Sequence, residues 1–113
     1  MQLKSKVMKL PKTIKVGGST YTIEIIPEDK AEHNGTGYYG LIKYGSRKIL
    51  FQDPFPNAAQ EINTILHECV HAISEDRSLK LTEEKTHNIA NALTSLILDN
   101  PQLWNRINLL RSQ

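Results

Sequence analysis

Apolar residues recur at every second position in the first half of the chain and at every third or fourth in the second half. Ile14 and Val16 alternate with Thr13 and Lys15, and Gly17-Gly18 then supplies a hairpin turn. Tyr21, Ile23 and Ile25 alternate with Thr20, Thr22 and Glu24, so this second strand buries one face, and Pro27 closes it. Residues 28–37 are polar, contain Gly35 and Gly37, and read as a loop. Residues 38–44 (YYGLIKY) and 47–52 (RKILFQ) read as two more strands around a Gly45-Ser46 turn. The pattern predicts a small antiparallel or mixed sheet of about four strands, built from two antiparallel hairpins.

After the break Asp53-Pro54-Phe55-Pro56 the period lengthens. Asn57 is an N-cap with Gln60 three residues on, and Ile62, Ile65, Leu66, Cys69 and Ile73 form one stripe, which predicts a helix from Ala58 to about Glu75. Thr82 caps a second helix whose first turn holds Glu83 and Glu84, where the helix dipole favours acids. Its stripe is Ile89, Ala90, Leu93, Leu96 and Ile97, and it stops before Pro101. Asn100 and Pro101 open a short third helix with Leu103, Trp104, Ile107 and Leu110 on its apolar face. Strands followed by helices predict an α+β domain. We divide it as one domain over 1–113: a basic tail at 1–11, the sheet at 12–52 and the helices at 57–111.

Composition narrows the picture. The 113 residues suffice for one ordinary domain, and 39% hydrophobic with 23% charged is normal for a soluble globular chain. No run of eighteen apolar residues reads as a membrane span, and the lysine-bearing start lacks the apolar core of a secretory signal. The one cysteine, Cys69, excludes an internal disulfide, a Cys-based zinc site and a Cys-rich secreted scaffold, so a cytoplasmic protein with no membrane partner is expected. The net charge of +2 is uneven, since residues 1–23 carry five lysines and no acid. That start reads as a solvated tail and edge strand. It has no Arg and no interleaved aromatics, which argues against nucleic acid as a partner.

The chemistry lies on the first helix, in His67-Glu68-Cys69-Val70-His71. Residues four apart on a helix lie one turn above each other, so two imidazoles reach one ion, and zinc accepts neutral imidazole in tetrahedral geometry. Glu68 is rotated about 100° from His67 and flanks the ion, where a carboxylate takes a proton from metal-activated water. His67 and His71 fall roughly 140° and 180° from Ile62 on the helical wheel, off the predicted core face. They are therefore solvated or turned to a cleft, not core histidines. Two ligands, a base and a solvent position form the core of a metallopeptidase site.

A third ligand is expected from the second helix. The pattern with Gly at 74 and His at 77 is excluded, because this chain has Ser74 and Arg77. Glu83, Glu84 and His87 are the candidates. His87 is preferred, being a full turn inside the helix where its position is rigid, with Glu84 and then Glu83 as alternatives. Glutamates not used for the ion serve the helix dipole or orient the ligands.

HECVH after a small sheet, followed by EEKTHNIANAL, resembles the small zincin-like metallopeptidases of phages and mobile elements over roughly residues 38–100. The best-known of those cleave repressor or anti-repressor proteins. The resemblance implies a zincin-like fold, a zinc cofactor, Glu68 as general base and a protein or peptide substrate. It also implies a third ligand, usually a Glu, a few residues before a small-residue–Asn pair. Ala90-Asn91 looks like that pair, and the Glu position then falls on His87. Either a three-histidine site results, or the ligand has moved to Glu84 or Glu83. The resemblance further implies substrate held extended along an edge strand, YYGLIKY or RKILFQ, with Gly40 permitting close backbone approach.

Other signals are weaker. Cys69 reads as an inert core thiol. Tyr38, Tyr39 and Tyr44 suit strand packing, with stabilisation of an oxyanion as the sharper role. His33 reads as a solvated loop residue, and Trp104 as the anchor of the last helix. The leading expectation is a zinc metallopeptidase, a hydrolase acting as a phage or mobile-element regulator. The alternative is a non-catalytic protein-binding module in which zinc staples the helices.

Overall fold

The computed structural model describes residues 10–27, 40–53 and 55–113. The strands are β1 (Thr13–Val16), β2 (Ser19–Pro27), β3 (Gly40–Lys43) and β4 (Lys48–Asp53), and the helices are α1 (Ala58–Arg77), α2 (Glu83–Asp99) and α3 (Pro101–Arg111). The architecture is α+β, a four-stranded mixed sheet followed by three helices. Tyr38, Tyr39, His33 and the first three lysines lie outside the described residues.

Both expected hairpins form, with Ile14 opposite Tyr21 in one and Ile42 opposite Ile49 in the other. Alternation does not carry how they join. β2 and β4 pair in parallel, with Ile23 opposite Ile49 and Ile25 opposite Phe51, so the order is β1-β2-β4-β3. The central position of β4 matches its unbroken run Ile49-Leu50-Phe51, all three buried. The shorter β1 and β3 become the edges.

The core lies between this sheet and α1. Tyr21, Ile49, Phe51, Phe55 and Ala72 form its buried centre, with Ile23, Ile25, Ile42 and Ile65 packed against it. Because α1 has the sheet on one side and α2 on the other, its buried positions are not one stripe. Thr64, Glu68, Val70, Ala72 and Ser74 are its buried residues, whereas Ile73, expected in the core, is exposed. The same shift affects α2, where Thr86, Ala90 and Thr94 are buried and Ile89 and Leu96 are exposed.

The termini of the helices follow local chemistry. Asn57 Oδ1 accepts the Gln60 N–H at 2.8 Å, and Thr82 Oγ1 accepts the Lys85 N–H at 3.1 Å. Helix α1 runs two residues past the expected end and stops at Ser78 in the left-handed conformation, its N–H returned to carbonyls of the last turn. Trp104 holds α3 through Nε1–H to the Leu96 carbonyl at 3.2 Å, so it anchors that helix to α2 rather than to the core. The expected apolar face of α3 is not covered by any described element, and Leu103, Ile107 and Leu110 are exposed. No described helix is long and apolar enough to cross a membrane.

Candidate metal centre

Helix α1 presents His67 and His71 one turn apart, their ring centroids separated by 4.8 Å. The segment after Ser78 runs back along α1, with Leu79 N–H on the Ser74 carbonyl (2.9 Å) and Leu81 N–H on Ser74 Oγ (3.1 Å). Ser74 thus ties down the connection that delivers the first residue of α2. That residue is Glu83. Its carboxylate bridges the two imidazoles, 2.9 Å from His67 Nε2 and 3.0 Å from His71 Nε2.

The donor atoms of His67, His71 and Glu83 all lie within 4.8 Å of one another, and the group could hold a metal ion. Two imidazole nitrogens and a carboxylate oxygen are donors that zinc accepts. Burial, with the nearby His71, pulls the His67 pKa down against the opposing pull of Glu83. The shift favours the neutral form that a metal requires.

His87, preferred from the sequence as third ligand, is not in this group. His87 sits one turn further along α2, its ring 6.1 Å from that of His67, and its Nε2 is 3.2 Å from Asn91 Nδ2. Glu84, also in the first turn, is exposed and is not part of the group. Glu83, ranked last from sequence, is the residue of α2 that converges with the two histidines.

Glu68 is 5% exposed, far more deeply set than a flanking surface base. It shares a cavity of about 260 Å³ with His67, His71, Glu83 and the β3 residues Gly40, Leu41 and Ile42. A methyl on Gly40 would lie 2.8 Å from Thr64 Cγ2 and 3.0 Å from Glu68 Oε2, so the β3 backbone rests directly on the acid. Burial, followed by the charge of Glu83, pushes the Glu68 pKa up to about 8. A cation among the three donors would favour its ionised form.

No protein-family model, curated protein or solved structure matches this chain.

The remaining candidates occupy quieter places. Tyr44 lies in the β3–β4 turn, and its hydroxyl donates to the His71 carbonyl at 3.4 Å. Cys69 is half-buried, and burial raises its thiol pKa, which fits an inert thiol. Sequence reasoning gave no role to Ser74 or Asn63, and used Asn91 only as the Asn of a small-residue–Asn pair. Asn63 precedes His67 by four residues, which was the available signal.

The raised pKa of Glu68 has a measurable consequence in metal-free protein. Between pH 4.5 and about 8 the folded state keeps a proton that the unfolded chain has released. Stability from this group is therefore complete below about 4.5 and falls as pH rises through about 8, by on the order of a few kcal/mol. Melting temperatures of wild type and Glu68→Gln across this range should diverge, with the wild type declining relative to the variant. Parallel curves would contradict the burial of this acid.

Proposed function

We propose that the chain is a zinc-dependent endopeptidase that hydrolyses a protein substrate, similar to the small zincin-like metallopeptidases of phages and mobile elements. The observation that carries this reading is a buried acid, Glu68, in one cavity with His67, His71 and Glu83. A purely structural site has no use for such an acid, and burying it unpaired is costly. Three protein donors among the described residues also suit a site that keeps an open position.

His67, His71 and Glu83 would hold the zinc ion, which would supply Lewis acidity and bring the pKa of its bound water to about 7. The chain does the rest. Glu68 accepts the proton of the attacking water and returns it to the leaving amine. Strand β3 is an edge of the sheet and borders the cavity, so an extended peptide can add to it by backbone hydrogen bonds. Gly40 lets that strand approach Glu68 without a side chain between them.

Incubating the zinc-loaded chain with an unfolded protein and with synthetic peptides, and reading products by mass spectrometry, tests the proposal. Cleavage that stops on chelation and returns with zinc is expected; no cleavage of either substrate contradicts it. Gly40→Ala forces Thr64 and Glu68 to shift, and displacing a base by a fraction of an ångström to an ångström costs up to about 10²-fold. We expect that variant to bind zinc normally and to lose about one to two orders of magnitude in kcat.

A further inference from the structure

The metal-binding donors are the top of a longer polar seam. On α1, Gln60, Asn63, His67 and His71 follow at spacings of three and four, and on α2 Glu83, His87, Asn91 and Thr94 do the same. Across the seam Asn63 Nδ2 donates to Asn91 Oδ1 at 2.8 Å and to Thr94 Oγ1 at 3.1 Å. With its carbonyl engaged by Asn63, Asn91 turns its NH₂ to His87 Nε2, 3.2 Å away.

Below the metal-binding group this seam opens into a groove of about 460 Å³. Asn57, the cap of α1, lines it with Gln60 and Asn63 of α1 and with His87, Asn91 and Thr94 of α2. His87, which lines the groove, has its ring 6.1 Å from that of His67, which lines the cavity of Glu68. Among the described residues no Lys, Arg, Asp or Glu lines it. Asn63 Oδ1 and Gln60 Oε1 have no hydrogen-bond partner among the described residues, and Asn91 Nδ2 has one hydrogen beyond that given to His87.

We infer that this groove is a subsite that receives a carboxamide side chain, Asn or Gln, of the peptide being cut. The inference rests on the peptidase reading and adds to it the class of substrate. A carboxamide matches the wall because it both donates and accepts. Among the described residues the wall offers a charged side chain no counter-charge, and an apolar one makes no use of its free amide groups. The volume is in the range of real ligand sites and exceeds one side chain, so a neighbouring residue of the peptide is accommodated too.

The test is a cleavage profile of the zinc-loaded full chain on a library of synthetic peptides of randomised sequence, read by mass spectrometry. Asn and Gln should be enriched about tenfold at one fixed position near the cut bond, the selectivity that one or two net hydrogen bonds supply. Asn63→Leu should erase that preference, and Asn91→Asp should move it toward Lys and Arg at the same position. Cleavage by the wild type without an amide preference would overturn the inference alone, as would an Asn91→Asp profile identical to that of the wild type. A wild type that cuts no peptide overturns the peptidase reading and this inference with it, a result distinct from the other two.

Discussion

Glu68→Gln is expected to retain zinc and to lower peptide hydrolysis by about 10²–10⁴-fold, the usual contribution of a positioned general base. The amide has the shape of the acid, so the packing under Gly40 and against Thr64 is preserved. It cannot accept a proton from water. Glu68 is not one of the three converging donors, so metal stoichiometry should not change. The two quantities to measure are kcat/KM on a cleaved peptide and zinc content after dialysis. A variant with full activity would remove Glu68 from the mechanism. A variant that lost its zinc would make Glu68 a ligand and not a base.

Glu83→Ala is expected to weaken zinc binding by more than about 100-fold, because residues that merely orient ligands already account for 10–100-fold. His87→Ala and Glu84→Ala should stay within about tenfold of the wild type, the low end of that range, since neither hydrogen-bonds a donor of the group. The contrast follows from position, since the Glu83 carboxylate touches both imidazoles and His87 is turned toward Asn91. Competition of each variant with a chromophoric chelator gives the affinities directly. A His87 variant as impaired as the Glu83 variant would reverse the assignment. The apo protein should tolerate Glu83→Ala well, because the side chain is 68% exposed and its contacts with the imidazoles lie open to solvent.

The ligand assignment also shows where sequence reasoning stopped. Capping and periodicity located the three helices, since Asn57, Thr82 and Pro101 mark where backbone donors need partners or where none is lost. They also placed His67, Glu68 and His71 together. They did not show how α2 descends along α1. The connection after Ser78 doubles back, pinned by Ser74, and so the first residue of α2 already stands level with the histidines. A rigid second-turn residue was the better guess only if the descent began at the end of α1.

Burial was legible in the same partial way. Tyr21, Ile23 and Ile25 face the core as alternation required. For α1, a single apolar stripe could not represent a helix covered on two sides, so the burial of Glu68 and Thr64 was invisible. The parallel pairing of β2 with β4 was hidden for a related reason, because period-two patterns specify faces and not neighbours.

The measurement that tests the account most directly is a zinc-edge anomalous difference map from crystals of the chain grown with zinc. The account predicts one peak, bounded by His67 Nε2, His71 Nε2 and a Glu83 oxygen, with an open position facing Glu68 and the β3 edge. A peak held by His87 in place of Glu83 would contradict the ligand assignment. The absence of any peak between His67 and His71 would contradict the metal centre itself.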